Sequence, residues 1–195
     1  GGTGFIGKKL CRFLVDKGFY VNILTRNLNS KKNSQKLKYF HWNPAKFQVD
    51  YESVKGVSVI INLSGKNIFS FWSKKNRKEI LNSRVNSIKT LNKLIKNNDE
   101  LEHIISASAI GIYENNNFQI QDESSINNCE SFLGNVVKKW EDEIDNLSSS
   151  KIIISKLRIG IVLSKESGFL EKLILINNLK VNPMVDNGSQ WRSWI

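Results

Sequence analysis

Apolar positions along the chain follow two rhythms. Over about Lys74 to Lys96, the residues Ile80, Leu81, Val85, Ile88, Leu91, Leu94 and Ile95 recur at helical spacing and predict a long amphipathic helix. A second helix is expected over about Ser131 to Leu147, where Phe132, Leu133, Val136, Val137, Trp140, Ile144 and Leu147 make one continuous face. A shorter one runs to about Lys17 with Leu10, Phe13 and Leu14 on one side, and another begins near Gly168. Between them lie runs of strand length: Tyr20 to Thr25, Lys38 to His41, Val57 to Leu63, Ile104 to Ala107 and Lys151 to Arg158, with a further strand or turn at Ile161 to Leu163. Nearly continuous apolar strands alternating with helices predict a parallel sheet covered on both faces.

The first seven residues give that sheet a chemical purpose. Gly1-Gly2-Thr3-Gly4-Phe5-Ile6-Gly7 is a glycine-rich turn leading into a helix. The first glycine permits the turn, the second lets backbone approach a pyrophosphate, and the third lets helix and strand pack closely. Unpaired N–H groups at the helix start then face the phosphates. The expected fold is therefore α/β, a Rossmann-type doubly wound parallel sheet forming one nucleotide-binding domain over residues 1–195. No strand precedes Gly1, and the loop-like stretch Val181 to Ile195 has no evident terminator, so the domain is expected to be truncated at both ends.

An NAD site usually places Asp or Glu about 20 residues beyond the turn, on the ribose 2′-hydroxyl. Here no acidic residue occurs between Asp16 and Asp50, and the strand closes on Thr25-Arg26. A guanidinium there can pair bidentately with a 2′-phosphate, supported by the hydroxyl. NADP is favoured as cofactor over NAD.

Composition narrows the partners. A chain of 195 residues, 40% hydrophobic, suits one folded domain. No apolar run approaches the roughly 20 residues needed to span a bilayer, and no signal peptide opens the chain. Cys11 and Cys129 form no metal or redox spacing, which fits a reduced, cytoplasmic setting. The net charge of +11 comes mostly from lysines spread along the chain, beside many Asn and Ile and only three Ala. That bias resembles A/T-rich codon usage, without the aromatic-interleaved stripe of a nucleic-acid surface. Neither nucleic acid nor membrane is an expected partner.

A series of short motifs then occurs in order: the glycine turn, Thr25-Arg26, Ile61-Asn62-Leu63-Ser64-Gly65, Ser83-Arg84-Val85, Ser106-Ala107-Ser108-Ala109, Phe132-Leu133 with Trp140-Glu141, Leu157 to Leu163, and Gln190-Trp191 with Ser193-Trp194-Ile195. Together they resemble the atypical short-chain dehydrogenase/reductases known as epimerase family proteins, over essentially the whole chain. The resemblance implies cofactor contacts from Gly1, Gly2, Thr3, Gly4, Phe5, Ile6 and Gly7, from Thr25 and Arg26, and from Leu63, Ser64 and Gly65. It implies further contacts from Glu79, Arg84 and Val162. It also implies a first strand, a His-x-Asp-Asp segment and a small C-terminal domain that this sequence does not contain. Arg84 stands out independently: four residues from both Ile80 and Ile88, it lies on the apolar helix face, where a guanidinium needs a partner. A cofactor phosphate or ribose edge would serve, and so would a surface carboxylate reached by snorkelling.

The catalytic reading divides. The wider superfamily uses a Tyr-x-x-x-Lys pair with an upstream Ser, the Lys lowering the Tyr pKa for proton exchange while nicotinamide takes hydride. Counted back from Glu141, those two places hold Leu133 and Val137. Tyr51 to Lys55 has the spacing but the wrong position. Ser108 remains where the superfamily's catalytic Ser sits, and Ile112-Tyr113-Glu114 replaces the family's Tyr-Tyr-Gly. His41 and His103 have no partner at useful spacing. Two functions stay open. One is an NADP(H)-dependent oxidoreductase or nucleotide-sugar-epimerase-like enzyme, acting on a nucleotide sugar or a carbonyl compound. The other is a non-catalytic NADP(H)-binding scaffold or sensor serving a protein partner.

Overall fold

The computed structural model describes residues 1–195 apart from 30, 97, 114–119, 126–128, 148–150 and 182–192. Its elements run α1 (Phe5–Asp16), β1 (Val21–Thr25), β2 (Leu37–Asn43), β3 (Gln48–Val49), β4 (Val59–Asn62), α2 (Lys74–Ile95), β5 (His103–Ala109), α3 (Phe132–Asp145), β6 (Ile153–Ile159) and α4 (Phe169–Asn178). The alternation expected from hydrophobic rhythm is present. The antiparallel hairpin of β2 and β3, pairing Trp42 with Val49, was not expected. Two residues of strand carry no readable period, and its turn depends on Phe47 adopting a left-handed conformation at φ 53°.

The chain divides into two compact units, Gly1–Ala107 with Lys138–Leu157, and Ser108–Val137 with Arg158–Ile195. In the first, the strands form two sets, ordered β1-β2-β3 and β4-β5-β6. β1 runs parallel to β2, from Val21 opposite Leu37 to Thr25 opposite His41. β4 runs parallel to β5, from Val59 opposite His103 to Asn62 opposite Ser106. Among the described residues no ladder joins β1 to β4. A cleft of about 660 Å³ has Val21–Leu24 along one wall and Val59–Leu63 along the other, with Leu91, Leu94 and Ile105 also lining it.

Register decides which residues of β4 and β5 are buried. Ile60 and Asn62 lie opposite Ile104 and Ser106, so the four share one face. Ile104 and Ser106 are fully buried there, and α2 buries Ile80, Ile88, Leu91 and Leu94. Trp140, Ile144 and Leu147, from α3 and the residues after it, complete this core. On the other face Val59 is 43% and Ile61 36% exposed. Phe13 of α1 likewise stands 56% exposed, while Leu10 and Leu14 are half-buried.

In the second unit a short helical turn at Ile110–Ile112 follows β5 and leads to Tyr113. Ile161 forms a parallel bridge with Trp194, fixed by Ile161 N–H donating to the Ser193 carbonyl at 2.9 Å and Leu163 N–H to the Ile195 carbonyl at 2.8 Å. The expected short strand at Ile161 to Leu163 thus finds its partner in the last residues. α4 opens on Gly168, whose φ of 89° favours glycine. Gln190 and Trp191, part of the motif series, lie outside the described residues.

Candidate functional site

The glycine turn is built by close approach rather than by unusual backbone angles, since its glycines avoid positive φ. A Cβ on Gly7 would fall on the Gly1 carbonyl, and one on Gly1 would fall on the Leu63 carbonyl. A Cβ on Gly2 would stand 2.9 Å from Ile23 Cγ2. The turn closes with Gly4 N–H donating to the Gly1 carbonyl at 2.9 Å. Gly4 is also the N-cap of α1, with no side-chain cap and no acidic residue in the first turn. The free N–H groups of Phe5 and Ile6 and the positive end of the helix dipole are therefore unopposed by a local carboxylate. That arrangement fits a pyrophosphate.

Beside the turn lies the end of β4. The Gly1 nitrogen donates to Ser64 Oγ at 3.3 Å, and Ser64 N–H donates to Asn62 Oδ1 at 3.1 Å. Asn62, 4% exposed, also donates through Nδ2 to Ser106 Oγ at 3.2 Å, which ties β4 to β5. The sequence reading quoted both residues without joining them; an amide inside an apolar strand was the signal that a partner must exist.

Arg84 is held by backbone carbonyls. Its Nη1 donates to the carbonyls of Lys66 (3.2 Å) and Ile80 (3.0 Å), and the guanidinium lies 5.2 Å from the centre of the Trp140 ring. Burial holds its pKa below the usual arginine value. A Cβ on Gly65 would stand 3.3 Å from the guanidinium carbon, so glycine is what lets the Ser64–Lys66 backbone cross it. Arg84 thus clamps the loop after β4 instead of reaching a surface carboxylate. Glu79 pairs with Lys66 Nζ, which also donates to Asn76 Oδ1 at 2.9 Å; the Lys66 bond and charge hold the Glu79 carboxyl below its ordinary pKa. Lys66 was missed by the sequence reading, since a lone lysine in a loop carries no pattern.

At the end of β1, Thr25 is 7% exposed and its Oγ1 is engaged with Asn27, donating to the carbonyl at 3.2 Å and accepting from the N–H at 3.3 Å. The hydroxyl therefore shapes the turn that presents Arg26. Arg26 is exposed.

Ser108 and Val162 belong to the second unit. Ser108 is 4% exposed. Tyr113 Oη accepts a hydrogen bond from Arg158 Nη1 at 3.0 Å, and the guanidinium carbon lies 5.0 Å from its ring centre. Val162 is half-buried, its carbonyl near Gly168. Val137 is 4% exposed, and both it and Leu133 pack on Gly111, 3.8 Å from where a Cβ would stand. Leu133 and Val137 thus serve as apolar packing around Gly111. Among the described residues, no group of three His, Cys, Asp or Glu side chains could hold a metal, and no helix is long and apolar enough to cross a membrane.

A family model, the NAD dependent epimerase/dehydratase family, matches residues 1–132. The chain belongs to that family. "Epimerase family protein YfhF" of Bacillus subtilis (strain 168) is 34% identical over 197 residues, covering all of this chain and 64% of the relative. The chain thus spans under two thirds of the curated relatives it matches. Among solved structures, human epimerase family protein SDR39U1 (isoform 2) with NADPH superposes with TM-score 0.79 at 24% identity, over 100% of this chain and 63% of that one. UDP-glucuronic acid 4-epimerase from Bacillus cereus, in complex with UDP-glucuronic acid and NAD, also gives 0.79, at 16% identity over 98% of this chain and 66% of that one. The family therefore shares a Rossmann-like fold with this chain, as its motifs implied.

Proposed function

We propose that this chain binds NADP(H) in preference to NAD(H), as the cofactor-binding part of an oxidoreductase or nucleotide-sugar-epimerase-like enzyme. The observation that carries the reading is the end of β1: an exposed arginine, no acidic residue between Asp16 and Asp50, and a threonine whose hydroxyl shapes the turn before that arginine's loop. A ribose with a free 2′-hydroxyl finds no carboxylate from this segment, whereas a 2′-phosphate finds a guanidinium. Kinship is compatible with either cofactor, since one fold neighbour holds NADPH and another NAD. Bound nicotinamide would supply the hydride acceptor or donor. Ser108 would orient a substrate hydroxyl or carbonyl, on a small carbonyl compound or a nucleotide sugar. Two free thiols, Cys11 and Cys129, suit a reducing compartment such as the cytoplasm. Calorimetric titration of the whole protein should give NADPH at least about tenfold tighter than NADH, one good charge-assisted contact. Arg26→Ala should erase most of that difference. Equal affinities in the unaltered protein would refute the reading.

A second function, cofactor binding without turnover, is favoured by one observation: Leu133 and Val137 are apolar and packed on Gly111. NADPH oxidation by the purified protein with any nucleotide sugar or carbonyl compound would eliminate it.

A further inference from the structure

The segment between β4 and α2 is firmly held, yet it carries its largest rings in water. Phe69 N–H donates to Asn67 Oδ1 at 2.7 Å, Ser73 N–H to the Phe71 carbonyl at 3.0 Å, and Asn76 Nδ2 to that same carbonyl at 2.7 Å. Trp72 Nε1 donates to the Ile68 carbonyl at 2.9 Å, so the polar tip of the indole is satisfied within the loop. The rings presented by this backbone are exposed: Phe71 by 88%, Phe69 by 48% and Trp72 by 38%. Rings of that size held in water by a hydrogen-bonded loop mark an interaction surface.

The neighbouring charge indicates what the rings meet. Helix α2 opens directly after them, and its opening residues Lys74, Lys75, Arg77 and Lys78 are all exposed. No acidic residue occurs between Glu52 and Glu79, and Glu79 is paired with Lys66. Cations at a helix N-terminus oppose the helix dipole, so helix stability does not account for them. Arg77 turns back on the loop, its Nε donating to the Trp72 carbonyl at 3.2 Å. Phenylalanine offers a polar partner no hydrogen bond, whereas the boundary between lipid headgroups and acyl chains takes up aromatic rings, and anionic headgroups attract lysines. A polynucleotide stacks its bases on rings that line a charged groove. At 88% exposure, Phe71 projects instead of lining one. We propose that this loop and the first turn of α2 dock on an anionic bilayer surface. Phe71 and Phe69 enter the headgroup–acyl boundary, Trp72 lies at the interface, and Lys74, Lys75 and Lys78 meet lipid phosphates. No described helix is long and apolar enough to cross a membrane, but docking at a surface requires none. A membrane partner was not expected from the sequence, because a loop of three rings is too short to register as an apolar run. The proposal is independent of the cofactor reading.

The test is flotation of the whole protein with vesicles of phosphatidylcholine carrying about one third phosphatidylserine, and with phosphatidylcholine alone. The unaltered protein should float with the anionic vesicles and not with the neutral ones, and added salt should weaken the binding by screening the lysines. Phe71→Ala should weaken partitioning at least about tenfold, through loss of the inserted ring, and Lys75→Ala about fivefold. Both side chains are exposed, so both variants should keep the native unfolding temperature. Lys46→Ala removes an exposed lysine elsewhere and should leave partitioning within about twofold, which separates local contact from net charge. Failure to float with anionic vesicles, or flotation that Phe71→Ala leaves intact, would overturn the proposal. Binding of a single-stranded oligonucleotide, or dimer formation, that depends on Phe71 in a protein that does not float would also overturn it and assign the loop to that occupant.

Discussion

The half of the first unit built on β4, β5 and α2 and the half built on α1, β1 and β2 are held by different means. In the former, Ile80, Ile88, Leu94 and Ile104 are fully buried, and Asn62 reaches Ser106 across the strands. In the latter, α1 buries only Gly7, and Phe13 lies 56% exposed. One half is a packed core; the other is a glycine turn leading into a helix whose buried residue is Gly7. Local stability varies within folds, and ligand-binding segments are drawn from its lower end. The difference implies that cofactor contributes more to the order of the α1 half than to that of the α2 half.

The comparison can be broken at several places. Ile88→Ala or Ile104→Ala empties a fully buried site and should cost about 2–5 kcal/mol, measured by denaturant unfolding. A loss under about 1 kcal/mol would deny the α2 half its packed character. Arg84→Leu should cost about 1–3 kcal/mol, because the Lys66 and Ile80 carbonyls lose a buried donor. It should also loosen the Ser64–Lys66 loop, read as faster amide exchange there. Phe13→Ala on α1 should cost less than about 1 kcal/mol, comprising little burial and the Lys17 contact at 5.8 Å. A larger loss would show that α1 is anchored more firmly than its exposure implies.

The smallest effect is electrostatic. Lys66 holds the Glu79 carboxyl below its ordinary value of 4.5, so the pair contributes fully above that pH and is lost as pH falls through the depressed value. Carboxyl titration by NMR should place Glu79 below 4.5, and Lys66→Ala should raise it. Because both side chains are partly exposed, unfolding stability should hardly change.

What the sequence disclosed follows the same division. Helices α1, α2 and α3 were legible from their apolar spacing, and the tight turn before α1 from its glycines, because both depend on local rules. The β2–β3 hairpin was not, being too short for a period. Nor were the partners of Arg84: spacing showed that a buried guanidinium required satisfaction, but the Lys66 carbonyl arrives from a loop 18 positions away. The side-chain turn that Thr25 makes with Asn27 was likewise not read from the sequence.

Hydrogen exchange of the whole protein, with and without saturating NADPH, tests the difference between the halves most directly. Without cofactor, amides of α1 should exchange faster than those of α2 and β5. With NADPH, the first turn of α1 and the segment from Thr25 to Lys36 should gain at least about tenfold protection, while α2 and β5 change little. Unchanged exchange across α1 and Thr25 to Lys36 at saturating NADPH would contradict the account.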